Sequence, residues 1–352
     1  MAPETKLTES GFGLSAGGRA LVRPCVQVVL YRDTPIDAAA RDFYDRSLAA
    51  LGPRLNRYMT DGMKRPAPFD AAARAVVPTW IERPKLGKRY YALIDHDGSA
   101  EGDPGASAST LETVLVGRKP PPASPAEAEA QKAAWKAHYE AGPVAFSPPV
   151  TVLRVTFPPN LPPASEPAAL LAWVLGLEAV KTEGLVSGQA GLSLNLDPDA
   201  SPPAKEEAGR HLAATLLRHP GIDWHDVGSV ASHMLHWDRD KLEFVPLVKR
   251  ANWLTFVSGR TAAWLGGADK LRQTLASEPS VVVHQAGPNL VIQAGPAPEP
   301  GDVGRRVFLP AYRAVAAAIR PARLEHHAGL GRAFSEGVPD EWLDGLDRSY
   351  DG

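Results

Sequence analysis

The chain has 352 residues, with 38 Lys plus Arg against 40 Asp plus Glu and a formal net charge of −2. Direct binding to nucleic acid or to an anionic membrane needs a concentrated surplus of positive charge, so neither is expected as a partner. Hydrophobic residues make up 44% and charged residues 22% of the chain, ordinary globular usage that allows a sizeable core.

The 34 prolines and 31 glycines predict short elements and many loops, proline standing at about twice its usual share. Cys25 is the only cysteine, which excludes an intrachain disulfide and a Cys-based zinc cluster. The first twenty residues lack the run of about seven or more apolar residues that a signal peptide requires. No stretch approaches the roughly 18 apolar residues of a membrane span. A cytoplasmic location is therefore expected.

Residues 1–20 are polar and Gly/Ser-rich and read as a flexible arm. A strand is expected over Val22 to Tyr31. Thr34 as N-cap, Pro35 at the first helical position and Asp37 three residues after the cap predict a helix start. Apolar residues then recur at Ile36, Ala40, Phe43, Tyr44, Leu48, Leu51, Leu55 and Tyr58, a helical spacing that Gly52-Pro53 should kink or break. A short helix around 70–77 and strands over 89–94 and 111–116 follow, the strands joined by an acidic loop. Residues 119–149 combine a Pro-Pro-Pro run with an Ala/Glu/Lys-rich stretch and predict a loop with a helical turn or two, a candidate internal boundary.

In the second half, strands are predicted over 150–157 and 187–196, the latter carrying Gly188 and Gly191 as marks of a bulge or close backbone approach. Helices are predicted from Ser165 to about Leu177 and over 205–218, and later one ending near Leu265-Gly266-Gly267 and a second through Leu271 and Leu275. Strands 280–285 and 289–293 flank Ala286-Gly287-Pro288, a hairpin signal, and a last helix is predicted over 307–319. Strands joined by both hairpins and single helices indicate an α+β fold, with helices covering a mostly antiparallel or mixed sheet. The order also admits two βα-rich halves. A single domain over 21–325 is expected, between the arm and an acidic tail at 326–352.

The densest set of potential metal ligands is His225, His233, His236 and Asp238, with Asp223, Asp226 and Asp240 nearby. Its spacing matches no helical H-E-x-x-H signature, and Trp224 and Trp237 fit a loop docked on a core. A metal-dependent hydrolase on these residues stands as an alternative reading. No G-x-S-x-G elbow, phosphate-binding P-loop or dinucleotide-binding glycine motif is present, so no cofactor is expected.

Charge is unevenly placed. From Glu336 onward six acids face one base, a charge of −5 that leaves +3 for the rest. Asp340, Glu341, Asp344 and Asp347 with Trp342 could dock on a basic partner through an apolar anchor in a charged rim. Asp95, Asp97, Glu101 and Asp103 form a second acidic group. Each also has a plainer reading, as a terminus packed on its own domain and as a solvated hairpin loop.

Asn252-Trp253-Leu254-Thr255-Phe256-Val257, then Ala263-Trp264-Leu265-Gly266-Gly267 and Leu271, resemble the type VI secretion immunity proteins for VRR-NUC nuclease effectors. Phe43-Tyr44 with Leu51 to Leu55, Gly188 to Leu194 and Phe308 to Tyr312 extend the resemblance across about 25–325. It implies a non-enzymatic protein that binds and neutralises a cognate nuclease toxin by occluding it. It assigns no catalytic residue. In their own right, Trp253, Phe256, Trp264 and Leu265 are spaced to fill a core, and Gly266-Gly267 suits a helix end. A non-enzymatic adaptor binding another protein through Trp342 is the third reading.

Overall fold

The computed structural model describes residues 9–34, 36–96, 105–117, 124–140, 150–225, 230–238, 243–324 and 338–347. In chain order the first half holds α1 (Glu9–Phe12), β1 (Leu14–Ala16), β2 (Arg19–Arg32), α2 (Ala38–Leu51), β3 (Arg57–Thr60), β4 (Ala67–Pro68), α3 (Ala71–Arg74), α4 (Val76–Glu82), β5 (Arg89–His96), β6 (Ser109–Val116) and α5 (Pro125–Glu140). The second half holds β7 (Thr151–Phe157), α6 (Pro167–Gly176), α7 (Glu178–Lys181), β8 (Leu185–Leu196), α8 (Pro202–Arg218), β9 (Leu235–Asp238), β10 (Glu243–Pro246) and β11 (Leu254–Val257). It ends with α9 (Gly259–Trp264), α10 (Ala268–Leu275), β12 (Val281–Ala286), β13 (Asn289–Ala294), α11 (Pro310–Ile319) and α12 (Val338–Leu343).

Eleven strands form one open sheet in the order β12-β13-β11-β8-β2-β7-β6-β5-β3-β4, with β1 also on β2, and β9 and β10 form a separate hairpin. Every pairing between named strands is antiparallel, so the fold is α+β as the order of elements indicates. The sheet runs unbroken from β6 to β7 across the 119–149 region, with Glu112 beside Arg154.

Alternation along the central strands sorts side chains onto two faces. Val26, Val28 and Leu30 of β2 and Leu153, Val155 and Phe157 of β7 share a core with Phe43 of α2, Leu170 and Val174 of α6 and Leu212 of α8. Each such side chain, fully buried, contributes about 1.5–3 kcal/mol. The other face carries Gln27, Val29 and Tyr31 in β2 and Val152, Arg154 and Thr156 in β7. There a smaller apolar cluster joins Val29, Tyr31, Val152 and Val186 to Val230, Ala231, Met234 and Leu235. Close approach explains both strand glycines: a Cβ at Gly188 would lie 2.5 Å from the Val29 carbonyl oxygen, and one at Gly191 2.1 Å from Asn252 Oδ1.

The structure departs from the expected elements where local signals compete. The cap of α2 is Asp37, whose Oδ1 accepts from the Ala39 and Ala40 amides at 3.1 Å, not Thr34. Gly52 takes φ +61° and ends this helix, so Tyr58 belongs to β3 rather than to a continued helical face. The helix after the proline run is α5, four turns rather than one or two. Part of the expected arm is built in: Phe12 is buried and β1 pairs with β2. Trp342, Leu343 and Leu346 enter the main core, so 338–347 is part of the folded body.

Candidate partner-binding site

Near its centre the sheet is extended beside β8 by 222–225, and 248–250 holds that segment through Lys249 and Arg250. The Asp223 amide donates to the Leu192 carbonyl beyond the end of β11. This brings the Asp223 carboxylate over two glutamines from adjacent strands. Gln27 Nε2 donates to Oδ2 at 2.6 Å and Gln189 Nε2 bonds the same oxygen. Lys249 Nζ closes the group at 2.9 Å from Oδ1 and also donates to the Trp224 carbonyl. Burial lowers the Lys249 ammonium to about 8, against the opposing pull of Asp223. Burial likewise lowers Arg250 to about 10, and its guanidinium donates to the Pro220 carbonyl at 2.8 Å.

The polar row continues outward along the same face. Arg154 Nε donates to Gln27 Oε1 at 3.3 Å, one terminal nitrogen to Glu112 at 3.3 Å and the other to Asn195 at 3.1 Å. Above this row opens a cleft of about 370 Å3, floored by Tyr91, Thr110, Glu112, Arg154 and Asn195 and walled by Trp224 and His225. Burial, with the Glu112 charge next, pushes the Tyr91 phenol well above its ordinary range. Ser107, also at the cleft, donates directly to Asp95 at 2.6 Å, with no imidazole between the two side chains. The cleft thus holds a fixed pair of opposite charges, Arg154 and Glu112, beside Trp224 and His225.

The residues singled out from sequence fall in different places. Asp95 is a buried base to its loop, held by Arg57 at 2.9 Å as well as by Ser107, and so is not a surface contact. Asp97, Glu101 and Asp103 lie outside the described residues. In the C-terminal group Trp342 is 1% exposed, which corrects its reading as an exposed anchor. Its ring stacks against the Lys249 ammonium at 5.0 Å and the Arg250 guanidinium at 4.5 Å. Asp344 and Asp347 both pair with Arg323, the former at 2.7 Å. Asp340 and Asp344 are exposed, and Glu341 is half-buried.

The alternative metal set is not brought together. His225 is buried with Nδ1 2.9 Å from the Tyr31 hydroxyl, His236 is exposed on β9, and Asp238 lies two residues further along that strand. His233 sits in the preceding turn. Among the described residues no three His, Cys, Asp or Glu side chains form a group able to hold a metal ion. Among the same residues no helix is long and apolar enough to cross a membrane. Sequence reasoning missed the Gln27, Gln189, Asp223 and Lys249 group. The available signal was Lys249-Arg250, two cations set inside the apolar run Val245 to Ala251.

Set beside known structures, this open antiparallel sheet with helices over one face has a counterpart. It matches the Pseudomonas aeruginosa T6SS protein PA0821 with a TM-score of 0.66, over 95% of this chain and 87% of that one. At 17% identity the likeness is one of architecture. Residues 123–343 match TsiV, the family described as type VI immunity for VRR-NUC, and the chain belongs to that family. No curated protein matches it.

Proposed function

We propose that the chain binds a VRR-NUC nuclease effector in the cytoplasm and neutralises it by covering it, without catalysing a reaction. The observation that carries this reading is the family match over 123–343, which takes in 222–225, 248–250 and α12. Nuclease surfaces that hold DNA are basic, and opposite charge speeds association. On α12 and just after it, Asp340, Glu341 and Asp344 present carboxylates at the surface, and they are the residues proposed to meet such a partner. Trp342 supports them from within by holding the helix on the body.

Co-expression with its cognate VRR-NUC nuclease effector should rescue cells, and the two proteins should copurify. Absence of both rescue and complex would sink the reading. The combined change Asp340→Asn, Glu341→Gln and Asp344→Asn should weaken the complex and flatten its dependence on salt. An unchanged salt slope would remove this surface from the interface while leaving the immunity role standing.

A further inference from the structure

The two ends of the large sheet are finished differently. At one end the sheet tapers into the four-residue β3 and the two-residue β4, which ends on Pro68. At the other end, among the described residues, β12 pairs only with β13 and presents a full six-residue edge. Natural edges are usually blunted by charge, proline, a bulge or a cover. Val281-Val282-Val283-His284-Gln285-Ala286 has no Asp, Glu, Lys, Arg or Pro, and its register with β13 is unbroken. Val282 is 46% exposed.

The direction of the backbone groups on this edge follows from two hydrogen bonds. Gly295 N donates to the Ser280 carbonyl, and Ala294 N donates to the Trp253 carbonyl. With the register Val281↔Ala294 and two residues per repeat, the amides of Val282, His284 and Ala286 turn toward β13, and those of Val283 and Gln285 turn outward. The Val281 amide is taken by the Glu278 carbonyl. Among the described residues no backbone or side-chain group bonds the outward amides and carbonyls of Val283 and Gln285.

We propose that a second copy of this chain pairs antiparallel on β12, with His284 at the two-fold axis. A two-fold antiparallel pairing places residues of constant index sum opposite one another. With His284 facing its own copy, Val283 faces Gln285 of the other chain, and the two outward amide sets satisfy each other reciprocally, four hydrogen bonds in all. Moving the axis to Val283 would bring the occupied Val281 amide into the ladder and lose part of this set. Charge also favours a like partner. A strand that meets itself places each side chain near its own kind, and like charges opposite one another repel; β12 carries no carboxylate, ammonium or guanidinium to do so. The cation that reaches this edge, Arg272 bonded to Gln285 Oε1 at 2.5 Å, offers a basic nuclease no attraction, which sets this surface apart from the carboxylates of α12.

The test uses the full chain, whose only cysteine, Cys25, is buried. At about 100 µM, sedimentation should give twice 37.6 kDa. His284→Cys should oxidise to a covalent dimer, because directly opposed residues of a non-hydrogen-bonded pair sit about 4.5 Å apart at Cα, within disulfide reach. Val282→Cys, facing Ala286 in this register, should stay reduced. Val283→Pro removes only an outward donor and should leave a folded monomer with an unchanged circular dichroism spectrum. A monomeric wild-type protein overturns the proposal, as does a Val282→Cys chain that crosslinks as readily as His284→Cys. It is equally overturned if hydrogen exchange at Val283 and Gln285 slows only when the nuclease is added, which would give the edge to the toxin. If Val283→Pro unfolds, the two cysteine variants still decide the question.

Discussion

The two faces of the sheet solve the same burial problem by different physics. On the helix side, Phe43, Phe157, Leu170 and Val174 are buried by non-directional apolar contact. On the other, Gln27, Arg154, Gln189, Asp223 and Lys249 are just as deeply enclosed, and each depends on a particular partner at a particular distance. Apolar burial is graded by volume, so a truncation costs what it removes. Polar burial is set by pairing, so a single substitution strands its partner while a double one need not.

That contrast can be broken most severely at the ion pair. Lys249→Met leaves the Asp223 carboxylate buried without its cation, and should cost about 3–5 kcal/mol in denaturant unfolding. Adding Asp223→Asn should recover most of the loss; no recovery would mean that the pair does not act as a unit. On the apolar face Leu170→Ala should cost about 2–5 kcal/mol, and no second polar change should restore it.

The pH dependence of stability sharpens the comparison further. Folding lowers Lys249 from 10.5 to about 8, so between these values the unfolded chain binds more protons than the folded one. Stability attributable to this residue therefore rises as pH climbs through that window. Tyr44, raised by burial from 10.0 to about 12, opposes the trend above pH 10. The difference between wild type and Lys249→Met should thus grow from pH 8 to 10, and a flat difference would contradict the burial of the ammonium. The smallest effect is expected at Asp344→Asn. Its side chain is 55% exposed beside Arg323, and its loss should cost less than about 1 kcal/mol.

Much of the helix-covered face was legible in the sequence, because period and punctuation report it directly. Phe43, Tyr44 and Leu51 fall at helical spacing, and Gly287-Pro288 marks a hairpin that the structure contains. The polar face was not. Val152, Arg154 and Thr156 alternate with their neighbours as a solvated strand face would, yet Arg154 and Thr156 are buried. Their partners come from other strands, Gln27, Glu112 and Asn195 for Arg154 and Thr110 and Asn195 for Thr156, and alternation along one strand carries no record of them. The aromatic spacing misled once more at Trp264. Its spacing predicts a core position with Trp253 and Phe256, but it is 37% exposed while those two are fully buried. In the candidate site the acidic residues were visible as composition, whereas their division into surface carboxylates and internal clamps depended on Arg323, Lys249 and Arg250. Those cations lie in other segments and give no local sign of their partners.

The central position of β2 bears on how fast the chain can fold. Gln27 lies between Thr156 of β7 and Gly191 of β8, both remote in sequence. Contacts of that separation pay their loop-closure entropy before any pairing rewards them, and they slow folding. During synthesis, of the strands that pair with β2 only the three-residue β1 precedes it, and β7 and β8 are made much later. Until then β2 is a hydrophobic segment without its sheet, the kind of segment that chaperones hold.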